Sequence, residues 1–264
     1  AESVANEILA ENKNAKIDIE ELDLTSLESI KNFSHQILKK YKNLDAYAKE
    51  HIKLQLRIPN SEKFTFKIYK EHLDNDGKID AVITLNRVAF AIIEASKSPN
   101  PAKKAELGFM GNYNYIFYYD GGLDLISPPI AIPSSPLVPL NVTFTNINSG
   151  DFKDFLIDFR IRNASYKDVY TIANHTPRRI FQWKNFDGLG SKNVEVYSIQ
   201  FSAIGQYSNV KDILIYEGSI ESPPESSDVN TYEPKIKATN NIAKTTSIII
   251  ANKKIERATT TKFL

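Results

Sequence analysis

With 264 residues, 42% of them aliphatic or aromatic, the chain can bury one large core or two small ones, which excludes wholesale disorder. Lys and Arg number 33 against 32 Asp and Glu, so no global charge draws nucleic acid in, and no specific nucleic-acid partner is expected. There is no Cys, which excludes disulfides, zinc–thiolate sites and cysteine nucleophiles.

The N-terminal region, 1–50, reads as helical. Val4, Ile8 and Leu9 fall on one face of a first helix. A second helix begins near Thr25-Ser26, after which Ile30, Phe33, Ile37, Leu38 and Tyr41 recur at helical spacing. Lys39, Lys40 and Lys42 occupy its last turn, where the helix dipole favours cations. No apolar run reaches the length of a membrane span, and the acidic start Ala1-Glu2-Ser3-Val4-Ala5 lacks the basic and apolar parts of a signal peptide, so no membrane partner is expected.

From residue 52 the period changes. Ile52, Leu54, Leu56 and Ile58 alternate with Lys53, Gln55 and Arg57, the pattern of a half-buried strand, and open an α/β or β-hairpin region over 51–126. Phe64, Phe66 and Ile68 repeat the alternation before the turn signal Asp74-Asn75-Asp76-Gly77. Residues 79–85 predict a strand, and 88–95 fit a strand or a short helix. Residues 112–119 alternate again, and Asp120-Gly121-Gly122 breaks the chain.

Five prolines between 127 and 140 predict an extended connector. Short strands follow over 141–217, near 142–147, 154–161, 168–173, 178–184, 193–203 and 210–217, separated by Asn-, Asp- and Gly-rich turns. The fold class expected is α+β, mainly antiparallel β in a barrel or sandwich, with an N-terminal helical region. Residues 218–264 read as a polar linker, a β-branched strand at 245–250 and a basic tail. A strand so placed leaves its backbone groups unpaired unless it joins a sheet, so it is expected to dock on another protein chain. The acidic residues of 1–30 and the basic ones of 235–262 offer opposite charges for pairing between subunits.

Three segments resemble functional sites. Asp80 opens a strand, and Glu94 ends the apolar run Ala91-Ile92-Ile93, which resembles the PD-(D/E)xK nuclease core, where two carboxylates on adjacent strands hold a divalent metal. The assisting lysine should follow the glutamate by two residues, but Ser96 stands there and Lys97 comes one place late. A one-residue shift on a strand sends a side chain to the opposite face. The nuclease alternative therefore rests on Asp80, Glu94 and Lys97, and the reading preferred is no catalytic residue.

The run His72-Leu73-Asp74-Asn75-Asp76-Gly77-Lys78-Ile79-Asp80 matches the middle of an EF-hand calcium loop. His72 replaces the first acidic ligand and Ile83 the bidentate glutamate at position twelve, so the segment reads as an Asp-Gly turn, with no metal and no cofactor expected. His35, His51, His72 and His175 form no metal-binding spacing. Tyr113, Tyr115, Phe117, Tyr118 and Tyr119 offer a base-stacking face, but no dense basic patch surrounds them, and a packed strand fits better.

One broader resemblance rests on residues 178–184, Arg-Arg-Ile-Phe-Gln-Trp-Lys, then Asp187-Gly188-Leu189-Gly190, then the alternating run 194–201. A strand, a Gly-rich turn and a partner strand of this kind resemble phage tail and baseplate proteins of the tube-like class. That resemblance implies a structural protein of a virion, assembled in the host cytoplasm, with other virion structural proteins as partners and a homo-oligomeric ring. A soluble β-sandwich that binds carbohydrate or protein is the third alternative.

Overall fold

The computed structural model describes residues 22–40, 44–107, 110–148, 150–203, 210–251 and 254–260, with helical positions at 4, 8 and 10. Leu9, Tyr41 and Lys42 of the expected helices lie outside the described residues. The chain divides into two compact units, 1–54 and 55–264.

In the first unit, α1 spans Leu27–Lys40. Ser26 caps it, its Oγ accepting the Ser29 N–H at 3.2 Å. α2 spans Leu44–Leu56, carrying the chain past residue 54, and buries Tyr47, Ala48, His51 and Ile52, a helical face. The strand expected over 52–58 is therefore corrected to the end of this helix. Ile52 and Leu56 are four residues apart and share its face, while Leu54, which the alternation required to be inside, is 42% exposed. Arg57, at φ 50°, ends the helix in the left-handed conformation, two residues before Pro59.

The second unit holds a smaller and a larger sheet. β1, Thr65–Glu71, and β2, Asp80–Asn86, form an antiparallel hairpin that closes at the Glu71–Asp80 pair. Next come two helices, α3 over Val88–Lys97 and α4 over Pro101–Glu106. Residues 88–95 are thus helical, and Ala91 and Ala95, one turn apart, are its buried positions. β3, Asn114–Asp120, pairs with β2 and takes the short β4, Leu125–Ile126, and β5, Ile130–Ala131, on its other side. The proline-rich stretch contributes β5 to this five-stranded sheet, and Ile132 and Leu140 to the core.

The larger sheet has eight strands in chain order: β6 Asn141–Thr145, β7 Asp154–Ile161, β8 Ala164–Ala173, β9 Thr176–Asp187, β10 Glu195–Phe201, β11 Ile213–Ile220, β12 Ile236–Ala251 and β13 Lys254–Thr260. Each is antiparallel to its neighbour, and the sheet is a half-barrel. The molecule is α+β with mainly antiparallel β structure, and its helices lie mostly toward the N-terminus.

β7 shows how the two faces are used. Phe155, Ile157 and Phe159 point one way and join Val82, Ile116 and Tyr118 of the smaller sheet in one cluster. Leu156 points the other way and joins Val169, Phe181, Ile213 and Ile215. β7 and β11 are not neighbours, so they share a cluster only because the sheet curls, and this second face is the concave one.

The C-terminal strand is part of β12, which pairs within the chain with β11 from Ile220–Ile236 to Ile213–Thr246 and with β13 over Thr245–Ala251. The polar linker before it is tied down as well, because the Arg160 guanidinium donates to the Val229 and Tyr232 carbonyls at 2.7 and 3.0 Å. Past Thr246 the ladder to β11 ends. Among the described residues, 247–251 pair only with 254–258 of β13, so a two-stranded ribbon projects beyond the sheet.

Candidate cation site

The turn between β1 and β2 is built by short side chains bonding to nearby backbone. The Asp74 carboxylate accepts the Asp76 N–H at 3.1 Å, and Asp76 accepts the Lys78 N–H at 2.7 Å. Gly77 takes φ 73°, as the turn signal in the sequence implied. His72 Nδ1 lies 2.8 Å from the Lys78 carbonyl and closes the loop rather than facing its centre.

Asp80, at the foot of β2, is fully buried, with its two oxygens accepting the Leu73 and Gly121 N–H groups at 3.0 and 2.9 Å. These bonds tie the β1–β2 turn to the chain break after β3. The tie needs Gly121, where a Cβ would collide with the Ile79 carbonyl, while a Cβ on Gly122 would push the Asp76 carboxylate aside.

The result is a convergence that the sequence does not display. Oxygens of Asp74, Asp76 and Asp80 lie within 4.8 Å of one another, and Asp74 also lies within 4.8 Å of Asp120 and His175. Asp120 ends β3. His175 comes from the larger sheet, on a two-residue turn between β8 and β9 in which Asn174 and His175 have φ 51° and 58°. Its Nδ1 is 2.7 Å from Asp120 Oδ2.

Burial raises the Asp80 carboxyl above its ordinary range, and the charges of Asp76 and Asp120 add to the rise. Burial raises Asp74 too, with Asp80 and Asp76 as further causes. Burial and the same carboxylates push the Tyr118 hydroxyl up, so it stays a donor, at 3.3 Å from Asp74. The bond to Asp120 raises His175. Among the described residues, no Lys or Arg forms an ion pair with Asp74, Asp76 or Asp80.

Oxygens so spaced suit a hard divalent cation, whose ligands stand roughly 2.0–2.6 Å from the ion. Asp74, Asp76 and Asp80 would hold it, and carbonyls and water would complete its shell. An EF-hand cage is not formed, because Ile83, at position twelve, is fully buried in β2.

The nuclease residues are not brought together. Glu94 lies on helix α3 rather than on a strand, where its carboxylate accepts the Tyr113 hydroxyl at 3.1 Å and stands 3.8 Å from Lys103. Tyr113 flanks the Asn86 end of β2, where its carbonyl accepts the Arg87 N–H at 2.9 Å. Asp80 is at the other end, six residues and about 20 Å away along the strand. Lys97 is exposed at the end of the helix. The aromatic run is a packed strand, with Tyr113, Phe117 and Tyr118 buried.

No protein-family model, curated protein or solved structure matches this chain. No helix among the described residues is long and apolar enough to cross a membrane.

Proposed function

We propose that this chain is a non-catalytic structural protein whose β1–β2 turn is braced by a divalent cation, Ca²⁺ before Mg²⁺. The observation that carries this reading is the meeting of Asp74, Asp76 and Asp80 with no Lys or Arg in an ion pair with them among the described residues. Carboxylates packed together and partly desolvated repel one another, and a cation removes that cost. An all-oxygen shell that water can complete suits the larger ion, because Mg²⁺ demands near-octahedral ligands at short distance. Thermal unfolding with and without Ca²⁺ tests the proposal. Saturating Ca²⁺ is expected to raise Tm by about 3–10 °C over chelator in a unit of this size. Asp74→Asn abolishes the rise; a Tm indifferent to Ca²⁺ in the parent protein refutes the reading.

A second reading, assembly, is favoured by the projecting ribbon. Here the chain is a subunit of a multi-subunit particle, with a phage tail or baseplate as its setting, other virion proteins as its partners and a homo-oligomeric ring as its form. Isolated two-stranded ribbons are marginal in water, and residues 247–251 and 254–258 have only each other as ladder partners among the described residues. Another copy's sheet would supply the missing pairing. Deleting 247–264 is expected to leave a folded core by circular dichroism while reducing the particle mass seen by light scattering. A parent protein that is monomeric at high concentration contradicts the assembly reading.

A further inference from the structure

We infer that the concave face of the half-barrel binds a neutral saccharide. Beside the apolar cluster on that face lies a cleft of about 580 Å³, within the roughly 300–1,000 Å³ that small-molecule sites occupy. Alternation along the strands puts polar side chains there. Asp158 follows Leu156 on β7 by two residues, and Lys167 precedes Val169 on β8 by two, so both continue the concave face beyond its apolar part.

These groups are pre-positioned by one another. Lys167 Nζ is 2.7 Å from Asp158 Oδ2, and Asn185 Nδ2 donates to Asp158 Oδ1 at 2.9 Å and to Ser165 Oγ at 3.1 Å. The Lys167 and Asp158 side chains keep 15% and 23% of their exposure. Lys167 has further ammonium protons and Asn185 has its carbonyl oxygen, for which no protein partner occurs among the described residues.

The remaining wall is fixed too. Arg160, 1% exposed, lies over the Phe186 ring at 4.7 Å and holds the 229–232 segment through its carbonyls. Half-buried Tyr197 offers the cleft an aromatic side.

Charge selects the ligand class. Asp158 and Glu233 balance Lys167 and Arg160, so the lining is neutral in sum, and an anion or a cation would each meet two like charges. A sugar hydroxyl donates and accepts at once, which suits a carboxylate, an amide and an ammonium set side by side, and its C–H face suits the tyrosine ring. A short neutral oligosaccharide fits both the chemistry and the volume.

The test is calorimetric titration of the full chain with malto-, cello-, xylo-, manno- and chitotriose at millimolar concentration. At least one is expected to bind, to shift backbone amide NMR signals of β7–β10, and to bind about tenfold more weakly to Asn185→Ala, which loses the amide. Binding should be unchanged in Glu71→Gln, which lies outside the cleft. Absence of binding by all five sugars, binding unaffected by Asn185→Ala, or shifts confined to residues outside the cleft would overturn the inference. Binding of oligogalacturonate alone would overturn the neutral class.

Discussion

Two groups of carboxylates in the second unit solve the same problem in opposite ways. At the β1–β2 turn, Asp74, Asp76 and Asp80 crowd together and accept from N–H and hydroxyl donors, with no Lys or Arg ion pair among the described residues and with His175 engaged by Asp120. On the concave face, Asp158 is met by Lys167 and Asn185. Where the protein supplies the counter-charge, a site is finished and can use its spare donors on a ligand. Where it does not, the fold carries a standing repulsion that a cation from solution can relieve. The two groups therefore predict opposite responses to losing a charge.

The largest effect is expected at the finished site. Lys167→Met leaves the half-buried Asp158 carboxylate without its ion-pair partner and should lower stability by about 1–3 kcal/mol in urea unfolding. Asp76→Asn should do the reverse in chelator, raising stability by a few tenths of a kcal/mol, because a repelling charge disappears from an exposed position. If both substitutions destabilise alike in chelator, the contrast between the groups is wrong.

A smaller effect comes from a pair that belongs to neither group. Lys153 Nζ lies 2.7 Å from Glu71 Oε2 and joins the end of β1 to the residue before β7. Lys153 is the main reason the Glu71 carboxyl is held below its ordinary value of 4.5. A carboxylate with a lowered folded value contributes stability that is complete above the unfolded value and is lost as pH falls through the folded one. Lys153 is 40% exposed and Glu71 half-buried, so solvent screens the pair and the contribution is at most about 0.5–1 kcal/mol. Glu71→Gln should therefore flatten the stability profile below about pH 4.5 and leave the calcium response intact.

How much of this could be read from the sequence depends on sequence distance. β1 is announced by alternating side chains, and β7 and β11 by short apolar runs bounded by turn residues, signals that lie within a few positions. The same local reading misplaced 52–58, because Ile52 and Leu56 satisfy both a period of two and a helical turn. Asp74, Asp76 and Asp80 were visible as a run, but their convergence depends on Gly121 and Gly122, more than forty residues on, which let the chain press against the loop. His175 reaches Asp120 only because two sheets pack together, 55 residues apart in sequence. A turn between these strands was readable; its left-handed conformation at Asn174 and His175 and its destination were not. Likewise the concave cleft exists only once the larger sheet has curled, and no local pattern encodes that curl. The C-terminal strand was read correctly as a strand, but a β-branched run does not specify whose edge it joins.

The cation brace is tested most directly by counting bound ions. Equilibrium dialysis of chelator-stripped protein against Ca²⁺ should give one ion per chain in the parent, and none at the same free concentration in Asp74→Asn and Asp76→Asn. The variants must remain folded by circular dichroism, as the near-isosteric changes predict. Stoichiometric Ca²⁺ retained by both variants would place the ion elsewhere, and a parent protein that binds none at millimolar Ca²⁺ would contradict the account.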